Sequence, residues 1–308
     1  MNEAELFFSE ILNCSRQDLY LNKNILLGKD KSTLIAAALK RRISGEPIEY
    51  ILGSSEFMGL KFKVSADVLI PRPETEILVE KTIELATALY ESLPQSASAS
   101  KLSNLVPACH CERSEAIFLT PKRLLRPFGA RNDTSVKPVI NILDVGTGSG
   151  CIAISLAKYL ARAEITAMDI SELSLKVAQE NAALNDVKVD FIHGDFFATY
   201  DLRPTTYDLI VSNPPYIASA DIATLQPEVL SQPLLALDGG KDGLGFYRRM
   251  AKVAPVYLKP GGLLIMEMGF RQRQAIERIL LGAGILSILE VIKDYRDIER
   301  VLVAKRAS

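Results

Sequence analysis

The residues best suited to chemistry in this 308-residue sequence lie in the stretch VSNPPYI (211–217). Asn213 ends an apolar run and is followed by Pro214, Pro215 and Tyr216. The Asn213 side-chain oxygen and the Pro214 carbonyl can each accept one N–H of a planar NH2 group. The prolines hold that carbonyl rigidly, and the Tyr216 ring offers a face for a flat group or a cation. We therefore predict that Asn213, Pro214 and Tyr216 are catalytic and that Pro215 joins them in binding the substrate; the alternative is a proline-terminated strand with a packed tyrosine.

A second candidate site is a glycine-rich loop between an apolar run and a helical pattern. This glycine loop consists of Gly146, Thr147, Gly148, Ser149 and Gly150. Asp169 closes the next predicted strand, 19 residues after Gly150, where a carboxylate can accept both hydroxyls of a ribose. The pattern predicts a nucleoside site. The alternative is a tight strand-to-helix turn with Asp169 as a helix cap, although Ser171 could also serve as that cap.

The spacing of the glycines narrows the class of nucleoside. A dinucleotide fingerprint would place glycine at position 151, where the sequence has Cys151. Gly-x-Gly-x-Gly instead resembles class I S-adenosylmethionine-dependent methyltransferases. In HGDF (193–196), Asp195 could then hold the adenine amino group and Phe196 could stack on the adenine ring. A turn with a core aromatic residue is the alternative reading of Phe196.

The composition fits an ordinary globular protein. Apolar residues make up 48% and charged residues 24%, and the formal net charge is -1. This balance provides no overall attraction to nucleic acid. The acidic N-terminus and the lack of a long apolar stretch predict a cytoplasmic protein. The CHC triplet (109–111) is too tightly spaced for paired zinc ligands, so we predict no metal site.

The first part of the chain predicts a small helical domain. Apolar residues recur at helical spacing over residues 1–52, with a second helix opened by Ser32-Thr33, and a hairpin follows around Gly59. Pro71 and Pro73 predict an extended linker before a helix that starts near Thr75. We place the first domain at 1–70 and the second at 71–308, with an atypical, Ser- and Pro-rich insertion at about 91–137.

From Val139 the pattern is α/β. Seven strands are predicted at 139–145, 164–169, 189–193, 207–213, 262–268, 286–292 and 299–305. Helical patterns separate the first several, which indicates a mostly parallel, Rossmann-like sheet with helices on both faces. The last two strands lie close together with charged residues between them, so one of them could be antiparallel.

These motifs together resemble the bacterial peptide-chain-release-factor N5-glutamine methyltransferases. The likeness covers nearly the whole chain outside 91–137. It is carried by EPIEYILGSSEFMGLKF, LIPRPETEILVE, LDVGTGSGCIAISLA, MDIS, VSNPPYI and LLALDGGKDGLGFYRRM. The resemblance implies methyl transfer to the glutamine of the Gly-Gly-Gln loop of class 1 release factors, with the N-terminal helices helping to recognise that partner.

The resemblance also implies roles for individual residues. The cofactor would be S-adenosyl-L-methionine, bound by the glycine loop, Asp169 and Phe196, with Asn213 touching it as well. Asn213 to Tyr216 would hold the glutamine amide. We expect a monomer that binds neither membrane nor nucleic acid directly.

Other functions share some of these motifs. An N6-adenine methyltransferase acting on DNA or RNA, and a ribosomal-protein glutamine methyltransferase, share the NPPY tetrapeptide; the IPRPETE segment argues against both. A nicotinamide-dependent oxidoreductase is disfavoured by Cys151, and an inactive binding module by intact Asn213 and Asp169.

Overall fold

The computed structural model describes residues 3–21, 28–92, 139–198 and 206–308. The predicted insertion lies outside these residues except for its first two positions, and the CHC triplet lies wholly outside them. Within the described ranges, no group of three or more His, Cys, Asp or Glu residues could hold a metal ion. No helix in the same ranges has the length and apolar character needed to cross a bilayer.

The N-terminal part is helical, as predicted. Its helices and its hairpin are α1 (Glu3–Leu12), α2 (Arg16–Leu21), α3 (Lys29–Ile43), α4 (Ile48–Leu52), β1 (Ser54–Phe57) and β2 (Leu60–Lys63). Phe7, Ile35 and Ile48 bring three of these helices into one apolar cluster. Helix α3 starts at Lys29, earlier than the predicted Ser32-Thr33. The Thr33 hydroxyl therefore lies inside the helix, where it donates to the Lys29 carbonyl and does not cap the helix.

The segment between the two parts becomes helical sooner than expected. Helix α5 spans Pro73–Ser92, so Pro73 is its first residue and not part of an extended linker. Proline suits that position because the first helical N–H has no partner inside the helix and the fixed φ angle matches the helix. The change brings Thr75 into the first turn of α5.

The second part is a seven-stranded α/β sheet. Its strands are β3 (Ile140–Val145), β4 (Ala163–Asp169), β5 (Asp190–His193), β6 (Tyr207–Ser212), β7 (Leu258–Glu267), β8 (Leu286–Lys293) and β9 (Glu299–Arg306). The order is β5-β4-β3-β6-β7-β9-β8. In the described part of this sheet, β9 runs in the direction opposite to the other six strands. The seven predicted strands and the reversal near the C-terminus are therefore confirmed, although β7 starts at Leu258 and not at residue 262.

Helices α5, α6 (Cys151–Tyr159), α7 (Glu172–Leu184), α10 (Gly245–Tyr257) and α11 (Arg273–Gly282) pack on the sheet. Two short helices, α8 (Pro227–Leu230) and α9 (Leu234–Leu237), lie in the connection between β6 and α10. One apolar cluster joins the sheet to α10 and α11 through Tyr247 and Ile276, and a second joins it to α5 and α6 through Leu78 and Ile154. Apolar side chains on both faces explain why the strands read as continuous hydrophobic runs.

The topology brings the two predicted sites together. Strand β3 pairs with β4 on one side and with β6 on the other. Strands β4 and β5 extend the sheet in one direction from β3, and the later strands extend it in the other. Ligands of open α/β sheets bind at such a switch point, outside the carboxyl ends of the strands. The glycine loop follows β3 and Asn213 follows β6, so both lie at this edge.

Candidate active site

The glycine loop is fixed by bonds to the end of β4 and to the strand beneath it. The backbone N–H groups of Gly146 and Thr147 donate to the Met168 carbonyl at 2.8 and 3.1 Å. The Thr147 hydroxyl donates to the Asp144 carboxylate at 2.6 Å. Asp144 is fully buried, and this burial raises the pKa of its carboxyl to about 7. These bonds hold the loop against the carboxyl ends of β3 and β4, and the side of the loop that faces away from the strands is open.

Asp169 braces the loop from the neighbouring strand. One carboxylate oxygen accepts the Gly148 N–H at 2.8 Å, and the other accepts the Ser171 N–H at 2.9 Å. The residue that caps α7 is Ser171, whose hydroxyl accepts the Ser174 N–H at 3.2 Å. Burial raises the pKa of Asp169. Since each carboxylate oxygen has a further lone pair, the residue retains acceptor capacity toward hydroxyl groups.

A cavity of about 610 Å³ opens at this edge of the sheet. The predicted residues that line it are Gly146, Thr147, Gly148, Ser149, Asp169, Asp195, Phe196, Asn213, Pro214 and Pro215. Added Cβ atoms at Gly146 and Gly148 would meet no other atom within 4 Å, so the loop borders open space. This cradle, with a buried carboxylate beside it, fits a nucleoside cofactor.

Two predicted site residues lie behind the cavity wall. At Gly150, a Cβ would come within 2.8 Å of Ile154 and 3.0 Å of the Ala178 side chain, so this glycine permits α6 to pack on α7. The Tyr216 ring packs against the apolar cluster of α10 and α11, and its carbonyl accepts the Gln272 side-chain N–H at 2.9 Å. Gly150 and Tyr216 therefore support the lining without being part of it.

Asn213 is held by a chain of buried side chains. Its Nδ2 donates to the Thr75 hydroxyl at 2.9 Å, and this hydroxyl donates to the Glu267 carboxylate at 2.7 Å. Thr75 and Glu267 are each only 1% exposed. Burial raises the pKa of the Glu267 carboxyl to about 7, although the Thr75 hydroxyl and the positive charge of Arg300 act in the opposite direction. With its NH2 group engaged by Thr75, Asn213 keeps its side-chain oxygen as an acceptor.

Aromatic residues border the far end of the cavity. Phe196 is only 3% exposed, and its ring centroid lies 5.5 Å from that of Phe197 and 5.4 Å from that of Tyr257. Phe197 also lines the cavity, with the Arg249 guanidinium 3.9 Å above its ring centroid. Arg249 donates to the Asp195 carboxylate at 2.8 Å. Neither Phe197 nor Arg249 was predicted from the sequence as a site residue. For Arg249, local patterns give no sign of its bond to Asp195, which lies 54 positions away.

A further buried residue ties the loop to the N-terminal part. Asn181 is fully buried and exchanges two hydrogen bonds with the backbone of Lys63, at 2.6 and 3.0 Å. Its Nδ2 also donates to the Ser149 carbonyl at 2.9 Å. The sequence offered no signal for this role, since an asparagine in a helix is ordinarily on its polar face. Through Asn181, β2 and α7 support the glycine loop.

The strand order, the reversed β9 and the glycine loop at the switch point define a class I methyltransferase. The family described as Methyltransferase small domain matches residues 133–240, and the PrmC N-terminal domain matches residues 1–53. A release factor glutamine methyltransferase of Thermodesulfovibrio yellowstonii is 34% identical over 100% of this chain and 93% of its own length. The corresponding protein of Moorella thermoacetica is 38% identical over 99% and 90%. The chain belongs to the release factor glutamine methyltransferase family.

Solved structures provide a more distant likeness. A putative transferase of Pyrococcus horikoshii covers 82% of this chain and 70% of its own, with 12% identity and a TM-score of 0.45. A methyltransferase of Pyrococcus furiosus covers 55% and 76%, with 19% identity and a TM-score of 0.43.

Proposed function

We propose that this protein methylates the side-chain amide nitrogen (N5) of the Gly-Gly-Gln glutamine in class 1 peptide chain release factors, with S-adenosyl-L-methionine as methyl donor. The observation that carries the proposal is the fixed amide of Asn213 at the edge of a nucleoside-sized cavity. Its NH2 group is engaged by Thr75, so its oxygen is the group that faces an incoming amide. Membership of the family supplies the identity of the protein substrate.

The residues around the glycine loop suit the cofactor. Asp169 would accept the ribose hydroxyls, while Gly146 and Gly148 allow close approach to the loop backbone. At the aromatic end, Phe196 is the predicted partner of adenine, and Phe197 is the more accessible ring beside it. When bound, S-adenosylmethionine supplies a methyl group already activated by a positively charged sulfur.

The chain's own contribution to catalysis is alignment. A carboxamide nitrogen is a weak nucleophile because its lone pair is delocalised into the carbonyl. The Asn213 oxygen and the Pro214 carbonyl would each accept one N–H of the glutamine amide, which fixes the direction of its nitrogen. Pro215 stiffens this segment, and Tyr216 anchors it through Gln272. One N–H proton of the amide must be lost in this step; because the alkylated amide nitrogen is cationic and strongly acidic, this proton would pass to water and no strong base would be required.

The decisive experiment offers the purified protein and labelled S-adenosylmethionine to three substrates in parallel. These are an unmethylated class 1 release factor, ribosomal protein, and DNA or RNA. We expect one added methyl group on the Gly-Gly-Gln peptide by mass spectrometry, and none when that glutamine is replaced by alanine. Exclusive methylation of nucleic acid or ribosomal protein would reject the proposal.

We also propose that the enzyme is a monomer that acts in the cytoplasm. A monomer acting in the cytoplasm would meet its substrate where translation ends. The net charge of -1 supports an enzyme that recognises a protein surface without binding nucleic acid directly. Gel filtration and methylation assays with added RNA competitor would test the oligomeric state and the independence from nucleic acid.

A further inference from the structure

We propose that Thr75 and Glu267 are positioning residues that set which end of the Asn213 amide faces the substrate. This inference rests on the proposed function, because it concerns how the acceptor for the glutamine N–H is presented. It assigns a role to two side chains that lie on different elements, in the first turn of α5 and at the end of β7.

The number of protons available decides how these side chains pair. A threonine hydroxyl has one hydrogen to donate and two lone pairs that accept, whereas an ionised carboxylate can only accept. Above the raised pKa of Glu267, about 7, its carboxylate is ionised and can only accept from the Thr75 hydroxyl at 2.7 Å, so this hydroxyl meets Asn213 as an acceptor. The Asn213 group at 2.9 Å must then be the NH2, and the oxygen of the same amide is turned the other way.

Without the carboxylate, this polarity would be lost. A threonine hydroxyl with no acceptor behind it could donate to the Asn213 oxygen, and the amide would rotate to present its NH2 to the cavity. Two donors, one on Asn213 and one on the glutamine amide, would then face each other. A buried donor without an acceptor is unfavourable, so the wrong rotamer would hold the substrate badly.

The burial of the pair argues against a chance contact. Both residues are about 99% withdrawn from solvent, and Thr75 lines the cavity while Glu267 lies behind it. The groups that face the Glu267 carboxyl are Thr75, Tyr216, Arg300 and Glu74, and the Tyr247 hydroxyl donates to its backbone carbonyl at 2.9 Å. A buried carboxylate is unfavourable unless it is hydrogen-bonded, which favours a function for this one.

The test compares Thr75→Val with Thr82→Val. Valine has the shape of threonine without its hydroxyl. Thr82 is a matched control because it is fully buried, lies seven residues further along α5, and donates only to the Leu78 carbonyl. We expect Thr75→Val to lower kcat for release-factor methylation by about 10-fold to 100-fold, with the affinity for S-adenosylmethionine within about twofold. Thr75→Ser, which keeps the hydroxyl, should restore most of the rate.

A second readout needs no turnover. In protein labelled with 15N-asparagine and free of cofactor, the Asn213 side-chain NH2 protons should exchange slowly. They should exchange at least about 10-fold faster in Thr75→Val and remain slow in Thr82→Val. Should Thr75→Val fail to fold, Thr75→Ala takes its place in both experiments.

The outcomes separate the two proposals. Equal kcat values and equal exchange in the two valine variants would overturn the positioning role while leaving the proposed function intact. A wild-type protein that does not methylate release factor would reject the proposed function, and the exchange experiment would still decide whether Thr75 holds the Asn213 amide.

Discussion

A comparison of Gly150, the third glycine of the loop, with Gly148 separates the role of helix packing from that of ligand contact. Gly148 and Gly150 both have positive φ angles, of 55° and 82°. A Cβ at Gly148 would meet nothing within 4 Å, whereas one at Gly150 would lie 2.8 Å from the Ile154 side chain and 3.0 Å from that of Ala178. Alanine substitutions at the two positions therefore share backbone strain and differ in steric overlap.

The expected magnitudes follow from these two contributions. A left-handed backbone conformation costs a non-glycine residue about 1–2 kcal/mol. Alanine also lowers the conformational entropy of the unfolded chain, which offsets roughly 0.5 kcal/mol of this cost. Gly148→Ala should thus lower the free energy of unfolding by only about 1 kcal/mol. Gly150→Ala adds overpacking between α6 and α7, which typically costs about 1–3 kcal/mol, so its total should be about 2–4 kcal/mol.

Chemical denaturation and calorimetry test both sides of this contrast. Gly150→Ala should unfold at clearly lower denaturant concentration than Gly148→Ala. Among variants that remain folded, Gly148→Ala should show the larger loss of S-adenosylmethionine affinity, because its methyl group projects into the cavity. Equal destabilisation by the two substitutions, or a stronger binding defect at Gly150, would refute the assignment of Gly150 to helix packing.

Further predictions concern the polar residues of the site. Asn213→Ala should abolish most methyl transfer and leave cofactor affinity nearly unchanged, measured by activity and calorimetry; near-normal turnover would contradict its role. Asp169→Ala should weaken S-adenosylmethionine binding by about 10-fold or more, because a buried acceptor of hydroxyl groups is removed, and an unchanged Kd would contradict this. Asn181→Leu should lower the free energy of unfolding by about 2–4 kcal/mol, since it removes three hydrogen bonds, one buried and two partly buried, and leaves their backbone partners unsatisfied; denaturation with a wild-type reference measures this. The pKa of Glu267 is raised from 4.5 to about 7, so the native state binds more protons than the unfolded state between these pH values. The contribution of Glu267 to stability therefore falls as pH rises through this window. Glu267→Gln should reduce that pH dependence by on the order of 3 kcal/mol, and an unchanged slope of unfolding free energy against pH would count against the raised pKa.

The sheet could be predicted from the sequence because its strands are buried on both faces. Leu209, Ile210 and Val211 are fully buried, so the run to which they belong contains few polar residues. Strand β7 was placed too late, from residue 262, because its first residues include Pro260 and two glycines that ordinarily end a strand. The position of β9 between β7 and β8 could not be predicted from the spacing of the strands along the sequence. It depends on which edge of the sheet is free when these strands pair.

The contacts that position the site were less predictable than the residues that line it. The Asn213–Thr75 bond spans 138 positions and the Thr75–Glu267 bond spans 192. Local patterns carry no information about such pairs. Tyr216 was predicted to contact the substrate because its ring offers a face for a flat group or a cation, but the ring packs against the core cluster and its backbone carbonyl accepts from Gln272.

The segment between the two parts of the chain belongs to the active site in physical terms. Arg72 and Thr75 line the cavity, and Thr75 bonds the residue proposed to hold the substrate. On the other side of the glycine loop, Asn181 joins Lys63 of the hairpin to Ser149. The boundary predicted at residue 70 stays a prediction, but a chain cut there would leave Asn181 with unsatisfied buried groups. The N-terminal part should therefore influence cofactor affinity.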